Sequence, residues 1–125
     1  MGDSLRFTRV VPTESGGSAF KDDEVPLEER WVAQGTPPML ACVLSAAASA
    51  VTYLRTSEFD SEPHPAPRCQ WVVMLRGAIE VEVTDRSRRQ FRAGDLLLLE
   101  DVTGQGHTTY TIGDPPFDGL FVPRE

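Results

Sequence analysis

Residues 64–83, HPAPRCQWVVMLRGAIEVEV, and residues 94–107, GDLLLLEDVTGQGH, decide the fold of this chain. The first segment contains an apolar run and then an apolar/polar alternation, and the second contains four consecutive leucines. Such short runs and alternations are typical of buried and half-buried β-strands. We therefore expect a tight hairpin of buried strands through Gly77, where glycine tolerates a positive φ. A histidine stands at each end of the whole stretch, His64 at the start and His107 at the finish.

Turn residues divide the rest of the chain into further short strands. Strands are predicted at residues 5–11, 40–44, 51–58, 69–75, 78–83, 88–91, 96–99, 107–112 and 117–122. Residues 19–30 are acidic and weakly periodic, which predicts an extended arm with at most one turn of helix. Residues 41–50 are rich in alanine and have helical propensity, but the β-rich surroundings favour a strand and a connection. About nine strands predict an all-β sandwich or barrel.

The length of 125 residues indicates one domain. We expect residues 1–38 to form an N-terminal strand and an extended arm, anchored near Trp31 and Val32, that packs on the barrel or on a dimer partner. Residues 39–125 are expected to form the β-barrel itself.

The composition excludes several classes of function. A formal charge of −7 argues against binding to nucleic acid or to an anionic membrane. Cys42 and Cys69 are too few and too far apart for a disulfide framework or a zinc site, so both are expected to be reduced and buried. The sequence shows no secretory signal pattern and no membrane-spanning run, which predicts a cytoplasmic protein.

The residues around both histidines resemble the motifs of small single-domain cupins. His64 stands at the first histidine of the first motif, Ala66 at the second histidine, Gln70 at the glutamate, and Gly77 follows at the expected spacing. Gly94 and Asp95 fit the start of the second motif, and His107 comes two residues late. The resemblance, over about residues 51–122, implies a double-stranded β-helix, or jelly-roll barrel, and a homodimer.

The same resemblance raises the question of a metal. Relatives with the whole pattern hold iron, manganese, nickel or zinc with three histidines and a glutamate. This chain keeps two imidazoles and a neutral carboxamide, which are a poor set of ligands. We therefore expect no cofactor. The alternative is a divalent transition metal at His64, Gln70 and His107, with help from Glu58, Glu62 or Asp101.

The candidate catalytic residues are His64, His107 and Gln70. Two imidazoles in one cavity are suited to act as general acid and base near neutral pH. Side chains alternate along a strand, so Val72 and Met74 share the face of Gln70 and are predicted to line the substrate site. Tyr53 and Arg55 share one face of their strand, and are predicted to bind substrate if that face points inward; an outward, solvated Arg55 is the alternative.

Three functions are compatible with these residues. The favoured one is a metal-independent cyclase, isomerase or dehydratase that acts on an apolar small molecule of specialised metabolism in the barrel cavity. The alternatives are a ligand-binding cupin without turnover and a metal-dependent oxygenase or isomerase with an atypical site.

Overall fold

The chain folds entirely into β-structure wherever its structure is described. This structure is a computed structural model that describes residues 3–31, 33–46, 50–56 and 62–124. The eleven strands are β1 (Ser4–Pro12), β2 (Ser18–Pro26), β3 (Glu28–Arg30), β4 (Met39–Ala41), β5 (Thr52–Thr56), β6 (Gln70–Arg76), β7 (Ala78–Glu82), β8 (Arg88–Arg92), β9 (Leu96–Leu99), β10 (Thr108–Thr111) and β11 (Phe117–Pro123). The prediction of an all-β fold is confirmed.

Two sheets face each other across one apolar core. The larger sheet has the strand order β2-β1-β9-β6-β11-β5, and the smaller has the order β10-β7-β8. Their shared core includes Val72 on β6, Val81 on β7 and Leu97 on β9. From β6 onward, the chain passes back and forth between the sheets as in a jelly roll, so the jelly-roll prediction is also confirmed.

The connection at Gly77 is not a hairpin, which corrects the sequence prediction. β6 pairs with β9 and β11, whereas β7 pairs with β8 and β10. Gly77 has a φ of 75°, and a Cβ there would lie 2.6 Å from the carbonyl oxygen of Pro116. Glycine thus lets the chain cross from one sheet to the other in a single residue. Apolar alternation identifies the strands but does not say which strands pair.

The N-terminal third adds strands where an arm was expected. β2 pairs with β1 along nine residues, from Ser4 with Pro26 to Pro12 with Ser18. β1 in turn runs parallel to β9, so it lies between β2 and β9 in the larger sheet. The expected arm is therefore a regular hairpin that widens the larger sheet.

The ambiguous middle region forms a second, smaller hairpin. β3 pairs with β4, from Glu28 with Ala41 to Arg30 with Met39, so β4 is shorter than the strand predicted over residues 40–44. Residues 47–49 and 57–61, and therefore Glu58, lie outside the described residues, as does Val32.

Two expectations drawn from the composition concern the cysteines and the membrane. Cys42 and Cys69 are free thiols, as expected, but both are half-buried and not fully buried. The described parts of the chain contain no helix with the length and apolar character that a membrane crossing needs.

The outer face of the larger sheet carries its own small apolar cluster. Phe7, Trp71 and Leu98 form it, with the rings of Phe7 and Trp71 edge to face at 4.8 Å. The chain after β4 covers this cluster, because Trp71 Nε1 donates a hydrogen bond to the carbonyl oxygen of Leu44 at 2.9 Å. Trp71 and Val72 therefore face opposite sides of β6, which places Val72 toward the interior.

Candidate active site

The two histidines are direct neighbours across an antiparallel bridge. The amide of His64 donates to the carbonyl oxygen of His107 and the amide of His107 donates to that of His64, both at 3.0 Å. The centroids of their rings are 5.2 Å apart. The barrel topology thus brings together two imidazoles that are distant in sequence.

A glycine makes this close approach of the two chain segments feasible. Gly106 precedes His107 and has a φ of 74°, and a Cβ at this position would lie 2.0 Å from the carbonyl oxygen of His64. The carbonyl of Gly106 accepts a hydrogen bond from the hydroxyl of Ser18, a buried residue, at 2.6 Å. The loop before His107 is therefore held from both sides.

A buried carboxylate fixes the orientation of the His107 ring. Asp101 is completely buried, and its Oδ2 lies 2.5 Å from Nδ1 of His107. Because a carboxylate accepts hydrogen bonds, Nδ1 of His107 carries the proton and the lone pair of the neutral ring is on Nε2. The carbonyl of Asp101 also accepts a hydrogen bond from the amide of Ala66 at 2.9 Å. Asp101 Oδ1 is buried without a hydrogen-bond partner among the described residues.

The ring of His64 is held in the same tautomer. Its Nδ1 lies 2.8 Å from the carbonyl oxygen of Glu62, which can only accept a hydrogen bond. The neutral His64 ring therefore also has its lone pair on Nε2. Both rings are fixed at Nδ1 by an oxygen of the protein, and this leaves Nε2 as the basic nitrogen of each.

Both histidines line a small apolar cavity between the two sheets. The cavity has a volume of about 110 Å³. Its walls include Leu54, Val72, Leu97, Phe117 and Phe121. A cavity of roughly 150 Å³ accommodates benzene, whereas sites for drug-sized ligands begin at about 300 Å³. The cavity therefore accepts a small apolar group and not a large molecule.

The predicted substrate residues on β6 take different positions. Val72 lines the cavity. Met74 is 1% exposed and belongs to the surrounding apolar core. Gln70 is buried on the same face of β6, but it lines a separate opening together with Arg68, and this corrects the expected convergence of Gln70 with the histidines.

Tyr53 and Arg55 point away from the cavity, which is the outward orientation named as the alternative for Arg55. The hydroxyl of Tyr53 donates to Oδ2 of Asp118 at 2.7 Å, and the guanidinium of Arg55 donates to both carboxylate oxygens at 2.8 Å. The hydrogen bonds from Arg55, followed by that from Tyr53, lower the pKa of Asp118 below its ordinary value. The inward residue between them on β5 is Leu54, because the two faces of a strand alternate.

The residues present do not fit a tightly bound metal ion. His64 and His107 offer two imidazole nitrogens, and both have the fixed Nδ1–H that metal-binding histidines generally have. Ala66 offers no ligand, and Asp101 is engaged with His107. No group of three or more His, Cys, Asp or Glu side chains suited to a metal occurs among the described residues. Structural and catalytic zinc sites need three or four protein ligands, so this donor set falls short.

The role of Asp101 in the site is not predicted from the sequence. From the sequence it is only a candidate auxiliary metal ligand, and not the partner of His107. A signal is present, because Asp101 lies two positions after the buried leucine strand and six positions before His107, where the chain can turn back toward the histidine.

The fold and the site together define a small jelly-roll protein with an internal pair of histidines, one of them held by a buried aspartate. No family model matches the chain, and no curated protein sequence matches it significantly. One similar solved structure is a crystal structure provisionally described as ethanolamine utilization protein Q from Salmonella typhimurium LT2. It shares 13% sequence identity with this chain at a TM-score of 0.47, over 97% of this chain and 96% of the other.

Proposed function

We propose that this protein is a cupin-type, metal-independent enzyme that transfers protons within a small apolar substrate. The reaction class is cyclisation, isomerisation or dehydration, each of which requires a base and an acid at defined places. The observation that carries the proposal is the 2.5 Å contact between buried Asp101 and Nδ1 of His107, beside a second imidazole in an apolar cavity.

His107 is the proposed general base. Its Nδ1–H is held by Asp101, which leaves Nε2 to accept a proton from the substrate. The carboxylate of Asp101 then stabilises the imidazolium that forms, as the buried aspartate does in a Ser-His-Asp triad. The low polarity of an apolar cavity strengthens this electrostatic stabilisation.

His64 is the proposed proton donor. The centroid of its ring is 5.2 Å from that of His107, and both rings line the cavity, so one substrate group beside the two rings can contact both. In its protonated form His64 delivers a proton at Nε2 while Nδ1 stays bonded to the carbonyl of Glu62. A base and an acid on neighbouring backbones thus allow a proton to leave one atom of the substrate and another to be added elsewhere.

The dimensions of the cavity restrict the substrate. A volume of about 110 Å³ holds the reacting part of a small molecule, and the apolar walls select a hydrocarbon or aromatic group. Confinement next to two oriented imidazoles contributes by proximity, an effect worth up to about 7–11 kcal/mol of the barrier in the best cases.

Exchange of solvent deuterium tests the proposal with simple probe compounds in place of the natural substrate. Small apolar aldehydes, ketones and their alkenyl isomers would be incubated with the protein in D₂O, and deuterium incorporation followed by mass spectrometry. Wild type is expected to catalyse incorporation into at least one compound. His107→Gln and Asp101→Asn are expected to lower the rate by about 10²–10⁴-fold, and Arg86→Gln, an exposed loop variant, leaves it unchanged.

Binding measurements separate the enzyme from a ligand-binding protein. Compounds that bind the wild type and the His107→Gln variant equally, without any catalysed exchange in either, would favour a binding protein and contradict the enzymatic proposal. Equal exchange rates in the wild type and in both site variants would also contradict it.

We also propose that the protein is a homodimer. β3 and β4 pair with each other and with no other strand in the described part of the chain, and a lone two-stranded hairpin is only marginally stable. Trp31 is 70% exposed beside this hairpin, and Leu40 on β4 is 51% exposed. Light scattering is expected to give the mass of two chains for the wild type and of one chain for Leu40→Asp; a monomeric wild type would contradict the dimer.

A further inference from the structure

A second opening lies next to the histidine cavity and shares two wall residues with it. This opening, here called the vestibule, has a volume of about 260 Å³, and its walls include Leu54, Arg68, Gln70 and Phe121. Leu54 and Phe121 also line the histidine cavity, so their side chains form the partition between the two spaces.

Gln70 is a buried polar side chain that faces the vestibule. It is 7% exposed and lies at the wall of this opening. A primary amide has two N–H donors and one carbonyl acceptor, so the Gln70 amide at the wall of the vestibule offers hydrogen bonds to a ligand that enters it.

Arg68 gives the vestibule a positive charge. This arginine is exposed and forms no ion pair within the described residues. None of the described residues that line the vestibule is acidic, although the whole chain has a formal charge of −7. The vestibule is thus a locally cationic place on an acidic protein.

We propose that the vestibule binds the carboxylate of an amphipathic substrate whose apolar part passes between Leu54 and Phe121 into the histidine cavity. This inference rests on the proposed function and specifies its substrate class as a small carboxylate with an apolar body. A planar guanidinium matches a carboxylate by two parallel hydrogen bonds, and the Gln70 amide donates a further one.

The sizes of the two spaces support this division. The histidine cavity alone is below the volume of sites for most organic ligands, and the vestibule is the larger of the two spaces. Gln70 and Val72 lie two residues apart on the same face of β6, one in each space. A ligand that follows this face of the strand therefore meets a polar group first and apolar walls after it.

The test compares hexanoate with 1-hexanol as probes, in full-length protein at low salt. Affinity would be measured by NMR titration of the backbone amides, with the resonances of Val72 and Phe121 as reporters of the site. The variants are Arg68→Gln, which removes the charge, and Gln70→Leu, which removes the amide at similar volume. Arg86→Gln is the matched control, because Arg86 is an exposed arginine in the turn between β7 and β8.

Hexanoate is expected to bind the wild type and to shift both reporter resonances. Arg68→Gln is expected to lower the affinity for hexanoate by at least about fivefold, a modest factor because the charge is exposed. Gln70→Leu is expected to lower the affinity for hexanoate by about threefold. Neither variant should weaken the binding of 1-hexanol, and Arg86→Gln should change the affinity for neither probe.

Two results would overturn the vestibule as a carboxylate site: unchanged hexanoate affinity in Arg68→Gln, or no shift of the reporter resonances at millimolar hexanoate. These binding results are independent of turnover. If hexanoate affinity does not depend on Arg68 but neutral compounds still show histidine-dependent deuterium exchange, the carboxylate site is ruled out and the enzymatic proposal stands. If hexanoate binding depends on Arg68 but no compound shows histidine-dependent exchange, the carboxylate site stands and the enzymatic proposal is ruled out.

Discussion

His64 and His107 are joined by two reciprocal backbone hydrogen bonds of 3.0 Å, which places their rings 5.2 Å apart at the wall of an apolar cavity. The relationship depends on backbone geometry as much as on the imidazoles. It makes the histidine pair a fixed feature of the barrel.

The glycine before His107 is expected to be essential for the pair. Gly106→Ala puts a Cβ 2.0 Å from the carbonyl oxygen of His64, so the two backbones must separate. We expect a loss of more than about 3 kcal/mol in the free energy of unfolding, measured by urea denaturation. Gly94→Ala is the control, because Gly94 also has a positive φ but has open space around its Cβ position. Its cost is expected to be about 1 kcal/mol, and equal costs for both variants would contradict the steric explanation.

The stability provided by Asp118 is expected to depend on pH. Arg55 and Tyr53 lower its pKa in the folded protein, so the folded state binds the proton more weakly than the unfolded chain does. Asp118 therefore contributes stability above about pH 4, the ordinary range of an aspartate, and this is lost as pH falls through the lowered pKa. Denaturation curves of wild type and Asp118→Asn should differ most near neutral pH and converge in acid. A difference that stays constant over this range would rule out the carboxylate as its source.

The outer apolar cluster is expected to stabilise the larger sheet. Trp71→Phe removes the hydrogen bond from Nε1 to Leu44 and part of the contact with Phe7, at an expected cost of about 1–2 kcal/mol. Val102→Ala is the control and should change stability by less than about 0.5 kcal/mol, because Val102 is 40% exposed. Thermal melts of both variants check the difference. Equal losses in the two variants would contradict the stabilising role of the cluster.

Metal removal is expected to leave the protein unchanged. Two imidazoles without a third ligand bind divalent ions weakly, so elemental analysis should find less than one transition-metal ion per chain. EDTA should not lower the melting temperature, because a ligand stabilises a protein appreciably only at concentrations well above its Kd. A stoichiometric metal, or a melting temperature that falls with EDTA and recovers with added zinc, would contradict a metal-independent mechanism.

The sequence is informative about strands and weak about their partners. The sequence correctly predicts β7 from the alternation between Ala78 and Val83, and β9 from the leucine run before Glu100. Both predictions succeed because the buried positions of a strand are apolar, so burial on one face or on both faces is visible in the sequence. The chain crossing at Gly77 has the sequence pattern of a hairpin, since a glycine with positive φ serves both kinds of connection. Pairing depends on distant segments, and no local pattern contains that information.

For the candidate site too, the sequence predicts some features and not those that depend on how distant segments meet. The resemblance to cupin motifs predicts that His64 and His107 meet, and the barrel topology brings them together. The inward face of β5 is not predictable, because Tyr53 and Leu54 are each plausible interior residues and a shift of one position exchanges the two faces. The sequence places Asp101 six positions before His107, but the contact between them depends on how the loop after β9 folds back, which no local pattern specifies.

The tautomers of the two imidazoles provide the sharpest test of the proposed proton transfer. Long-range ¹H–¹⁵N NMR of the folded protein, at a pH where the rings are neutral, identifies which nitrogen carries the proton in His64 and His107. We predict Nδ1–H in both rings, and partial loss of this preference in His107 when Asp101→Asn replaces the carboxylate with an amide. An Nε2–H tautomer of His107 in the wild type would contradict the mechanism, because the nitrogen assigned to accept the substrate proton would already be occupied.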